Sequence, residues 1–183
     1  MLCAGRLENI NEMKIGLRIK DWFCKKESKP SVNDSDMKDL LYEVLSHYGM
    51  IEVPGPDSNP DILEFFKDLG YDWVTDDSAT AWCSAMLSYY AKKLGYEYNK
   101  DLNARGWLDT PVKVLHPSIG DVVVFWRYSP TDWRGHVGLF ISWDSTKIWV
   151  LGGNQQNQIS IAAYSRDRLL GFRQLKRLYN DTD

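Results

Sequence analysis

Cysteine and histidine are scarce in this chain, with three of each in 183 residues. Cys3, Cys24 and Cys83 are odd in number and widely spaced. That excludes a disulfide framework and a C-x-x-C zinc or redox motif, and leaves at least one thiol free. His47, His116 and His136 are too few and too scattered to build a metal cluster, so no metal and no other cofactor is expected. A surplus of positive charge is also missing. Lys+Arg 22 against Asp+Glu 25 leaves a net charge of −3, which offers no field for a polyanion, so nucleic acid is not an expected partner. No run of about 18 apolar residues is present to cross a membrane. Charged and polar residues interrupt the first 26 positions where a secretory signal would need its apolar stretch. The expectation is a protein made in the cytoplasm without a standard export signal.

Large flat side chains are abundant, with eight Trp and 13% aromatic residues, which excludes a disordered solvating chain. The length suits one core and a monomer. Residues 1–35 read as an extension and linker, with Ile15, Leu17, Ile19, Trp22 and Phe23 among basic residues and a polar, turn-rich stretch at 27–35. The domain is expected over 36–183. Met37, Leu40, Leu41, Val44, Leu45 and Tyr48 share one helical face. Asn59-Pro60 signals a second helix start, with Ile62, Phe65, Phe66 and Leu69 as its stripe and Gly70 as its stop. A third helix is expected from about Thr80 to Leu94, capped by Ser78 or Thr80 and ended by Gly95. After the loop around Arg105 the spacing changes to five strand-like runs, 121–126, 136–143, 147–152, 158–164 and 169–175. Their connections are too short for crossover helices, so an antiparallel meander and an α+β class follow.

Cys83 falls in the first turn of the third helix, where free backbone N–H groups and the helix dipole favour a thiolate. Such a nucleophile needs a base. His136 opens a strand after Gly135, in a place from which the ring can reach a helix start. A third polar group must fix the ring, and Asn154 in Leu151-Gly-Gly-Asn-Gln155 is the candidate, with Gln155 as the fallback. Asp76 and Asp77, just ahead of the helix, read as solvated carboxylates. Trp82, Trp107, Trp126 and Trp133 flank these segments and read mainly as core, with groove lining as the alternative. Arg166, Arg168, Arg173, Lys176 and Arg177 read as a solvated basic face.

Together Thr80-Ala-Trp-Cys83-Ser, Gly120-Asp-Val-Val-Val-Phe125, Gly135-His136-Val-Gly and Leu151-Gly-Gly-Asn154 resemble the CHAP domain, the cysteine, histidine-dependent amidohydrolase/peptidase, and the related NlpC-type cell-wall peptidases. The resemblance covers about residues 36–175. It implies a permuted papain-like fold and cleavage of an amide bond in peptidoglycan, within the stem peptide or between muramic acid and alanine. Cys83 would attack the carbonyl, His136 would carry the proton and Asn154 would orient the ring. Two positions depart from the pattern: Trp82 where many relatives carry Asp or Gln, and Gly152 where many carry Glu.

The expected partner is therefore peptidoglycan or its muropeptides, reached in the periplasm or wall after specialised secretion or phage lysis. An antibacterial toxin of this kind would also need an immunity protein. Two other classes stay open: a catalytically silent wall-binding module, and a cysteine acyltransferase or deamidase acting on a protein.

Overall fold

The computed structural model describes residues 32–55, 57–110 and 112–178. The chain divides into Met1–Val32 and Asn33–Asp183, and nearly all described residues belong to the second unit. Cys3, Cys24 and the basic N-terminal segment lie outside the described residues.

Helix α1, Val32–Ser46, buries Leu40, Leu41 and Val44, as their spacing requires. Tyr48 does not join that face. The helix ends at Ser46, Gly49 takes a positive φ of 89°, and the Gly49 N–H and Met50 C=O both bond Ile159 across a strand edge. Tyr48 is left 40% exposed. Helix α2, Pro60–Asp68, starts where Asn59 accepts the Asp61 N–H at 3.0 Å, and buries Ile62, Phe65 and Phe66. Helix α3, Cys83–Lys93, starts three residues later than the capping pattern predicts. The Ser78 hydroxyl and N–H both donate to the Asp76 carboxylate, which fixes this stretch as a turn, and the helix starts after Trp82, a cap without a side-chain bond. Cys83 is thereby the first helical residue.

The strands are β1 Val112–Val114, β2 Val122–Trp126, β3 Gly135–Trp143, β4 Lys147–Gln155, β5 Gln158–Ser165 and β6 Leu169–Gln174. They form one antiparallel sheet in the order β1-β6-β2-β3-β4-β5, so the class is α+β. Five strands were expected; β1 is a three-residue addition at the edge, too short to show a period. The sheet is also more than a meander, because β6 returns to the far side of β2. Only Arg166–Arg168 separate β5 from β6. Four extended steps reach about 14 Å, whereas four strand spacings on a flat sheet measure about 19 Å. The sheet must curl. Inside the curl Val123, Phe125, Phe140, Ile148, Val150 and Phe172 form a buried cluster.

Candidate active site

Helix α3 meets the sheet where β3 and β4 part. Their ladder runs from Trp143↔Ile148 only as far as Leu139↔Leu151, so the backbone at 136–138 is released on that side. Gly153 then lies against the helix start. A methyl group there would stand 2.5 Å from the Trp82 ring and 2.8 Å from Met86 Sδ, so glycine is needed for the approach. Two indoles brace the same turn from below: Trp82 Nε1 donates to Glu52 Oε2 at 3.0 Å and Trp107 Nε1 to Ser84 Oγ at 3.1 Å. Trp82 and Trp107 are therefore core residues with a bonding role, whereas Trp133 is exposed.

Cys83 is 3% exposed and His136 fully buried. Burial pushes the thiol up, and the Arg127 guanidinium, the Val137 N–H and the N–H groups of Ser84 and Cys83 itself pull it back. Val137 directly follows His136 on β3. That ring stacks on Tyr164 at 4.8 Å, and Tyr164 stacks in turn on Phe125, which stands directly opposite His136 on β2.

The group on the far side of the ring is Gln155. His136 Nε2 and Gln155 Oε1 are 3.2 Å apart. The Gln155 amide nitrogen faces the carbonyls of Val150, Gly152 and Ser160, which fixes the orientation of the amide and turns its oxygen to the ring. An amide oxygen can only accept, so Nε2 carries the proton and Nδ1 keeps its lone pair. Asn154 takes a φ of 54° and its side chain does not reach His136. The reason is a bulge. Gly152 pairs with Ser160 and Gln155 with Gln158, so two residues of β4 oppose one of β5. In a regular strand the position two after Gly152 would share the His136 face; the extra residue gives that face to Gln155. At Gly152 a methyl group would come within 3.3 Å of the Val137 carbonyl and only into ordinary contact with the Gln155 amide.

Arg127 was not foreseen. It follows Trp126 on β2, and its Nη2 lies 3.4 Å from His136 Nδ1. The register of β2 against β3 was the available signal, because Phe125 opposite His136 puts the residue two further on beside the ring. Burial pushes the imidazole down to about 3, Arg127 and Arg168 press the same way, and the Gln155 bond resists. Among the described residues both ring nitrogens are engaged, by Gln155 and Arg127, and neither by the Cys83 sulfur.

The other candidates take structural places. Asp77 is fully buried, against the expectation of a solvated carboxylate, and holds the Val53 and Asn59 N–H groups at 3.1 and 2.8 Å. Arg166 and Lys176 are exposed, as a solvated face requires, while Arg173 also donates to the carbonyls of Leu108 and Phe172 and Arg166 to that of Asp144. Among the described residues no cluster of His, Cys, Asp and Glu suits a metal ion, and no helix is long and apolar enough to cross a membrane.

No protein-family model matches the chain, and no curated protein matches it. Among solved structures it is similar to a crystal structure described as "similar to lipoprotein, NLP/P60 family", from Staphylococcus aureus subsp. aureus Mu50. The identity is 15% and the TM-score 0.45, over 86% of this chain and 47% of the other, so the present chain spans about half of that protein.

Proposed function

We propose that this protein is a cysteine peptidase or amidase that cleaves an amide bond of peptidoglycan. The observation that carries the reading is the Gln155–His136 bond, with its fixed tautomer, beside a cysteine at the first position of a helix. Structural cysteines need no such partner. In the proposed reaction His136 Nδ1 takes the Cys83 proton, and the thiolate sulfur attacks the carbonyl carbon. The N–H groups of the first α3 turn, which have no partner within the helix, meet the oxyanion. Collapse breaks the C–N bond as the imidazolium returns its proton to the leaving amine. Water then releases the acyl group from sulfur, with His136 again as base. The wall substrate is supported by the order of the four motif segments along the chain and their resemblance to CHAP and NlpC-type peptidases.

Digestion of purified sacculi, with fragments identified by mass spectrometry, tests this. Wild type is expected to release muropeptides and Cys83→Ala none. Equal release by both would end the cysteine mechanism, and no release from several wall chemotypes by reduced wild type would end the wall substrate.

A further inference from the structure

Arg127 is a cation with no anion beside it among the described residues. It is half-buried, makes no ion pair among the described residues, and has one side-chain partner, the lone-pair nitrogen of a neutral imidazole. Neighbouring arginines are satisfied by oxygens: Arg134 by the Asp132 carboxylate at 2.8 Å, Arg105 by the carbonyls of Asp132 and Pro130, and Arg168 by the Trp126 carbonyl at 3.0 Å. Arg168 lies over the Trp126 ring and adds to the positive field at His136. Among the described residues no carboxylate counters that field at either His136 or Cys83, although the chain as a whole is acidic. A partly desolvated guanidinium that faces only a weak neutral acceptor is a costly arrangement, and a carboxylate matches its fork with two parallel bonds.

The position matters as much as the charge. Cys83, His136 and Gln155 are buried, and Arg127 is the member of the cluster that reaches solvent. It also occupies Nδ1, the nitrogen that must accept the Cys83 proton. We propose that Arg127 is the receptor for a carboxylate group of the substrate, and that binding this group draws the guanidinium off His136 Nδ1 and frees it to deprotonate Cys83. The step balances: the S–H bond breaks, the Nδ1–H bond forms, and the new imidazolium keeps its Nε2–H bond to Gln155. The thiolate left on Cys83 balances the imidazolium, and the carboxylate offsets the charge of Arg127. This rests on the peptidase reading for the identity of the nucleophile and base, but not for the anion site itself.

Two measurements separate those parts. In Cys83→Ala, which has no nucleophile, titration with acetate is expected to move the His136 ring nitrogen resonances in ¹⁵N NMR, and the additional change Arg127→Gln is expected to abolish the response. No saturable shift in Cys83→Ala, or a shift that survives Arg127→Gln, overturns the proposal. In wild type, alkylation of Cys83 is followed by peptide mass spectrometry with iodoacetate and iodoacetamide. The ratio of anionic to neutral labelling is expected to exceed that of a free thiol by about tenfold, to fall to the free-thiol value in Arg127→Gln, and to be kept in part by Arg127→Lys. An unchanged ratio in Arg127→Gln overturns the trigger. A Cys83 that neither reagent labels in the folded protein, with the acetate response intact, ends the nucleophile reading and the trigger while the anion site stands.

Discussion

Gln155 does two jobs with one amide. Its oxygen holds the imidazole proton on Nε2, and its nitrogen is held among the carbonyls of Val150, Gly152 and Ser160. Gln155→Ala is therefore expected to hurt twice. Loss of the tautomer should lower kcat/KM on muropeptides on the order of 10²-fold, and the buried His136 Nε2–H left without its acceptor should cost about 1–3 kcal/mol in urea unfolding. Asn154→Gly makes the contrast. The position already has the left-handed backbone that glycine adopts without strain, so stability should stay within about 0.5 kcal/mol, and the same kinetic assay should show activity close to wild type. A large kinetic loss in Asn154→Gly with Gln155→Ala unaffected would return the orienting role to Asn154.

The join between α3 and β4 is what brings these side chains together, and it depends on an absent side chain. Gly153→Ala would place a methyl group against the Trp82 ring and Met86, both held by the surrounding core. Overpacking of this kind costs about 1–3 kcal/mol. The expected signature is a lower Tm together with a loss of sacculus digestion larger than the stability change explains, because the strain moves the Cys83 turn off β3. Full activity at a lowered Tm would show that the helix start tolerates displacement. This join also marks the limit of what the sequence discloses. The stripes of α1 and α2, the Asn59-Pro60 start and the five longer strands follow from local spacing and propensity, which act over a few residues. Cys83 and His136 were readable because each sits at the start of an element, Cys83 at the first residue of α3 and His136 at the second of β3. The bulge at 152–155, the late start of α3 and the curl that returns β6 to β2 depend on pairings between distant segments. Composition carries no trace of these, and they decide between Asn154 and Gln155.

Burial of titratable groups ties the stability of the whole molecule to pH, with two contributions of opposite sign. His136 is pushed down to about 3 by its loss of solvent, with Arg127 pressing the same way. The unfolded chain binds a proton at this residue from about pH 6.5 downward and the folded chain does not, so stability falls as pH drops from about 6.5 to 3, by up to about 1.4 kcal/mol per unit. Asp121 behaves in the other direction. One of its carboxylate oxygens is buried without a partner, and burial raises the group to about 6 against a bond from the Ser118 N–H. Its folded form holds a proton that the unfolded form has released, so its stabilising contribution is present below about pH 4 and is lost as pH rises through about 6. Between pH 4 and 6 the two partly cancel. Urea midpoints measured at pH 7.5, 6, 5 and 4 should expose them separately. His136→Gln should flatten the acid fall, whatever its absolute stability. Asp121→Asn, which keeps an acceptor for Ser118, should gain most at pH 7.5 and lose that gain toward pH 4, which steepens the acid fall. A wild-type profile flat from pH 7.5 to 4, unchanged by both substitutions, would show that neither group stays buried in solution, and the closed arrangement of His136 under Arg127 would fall with it.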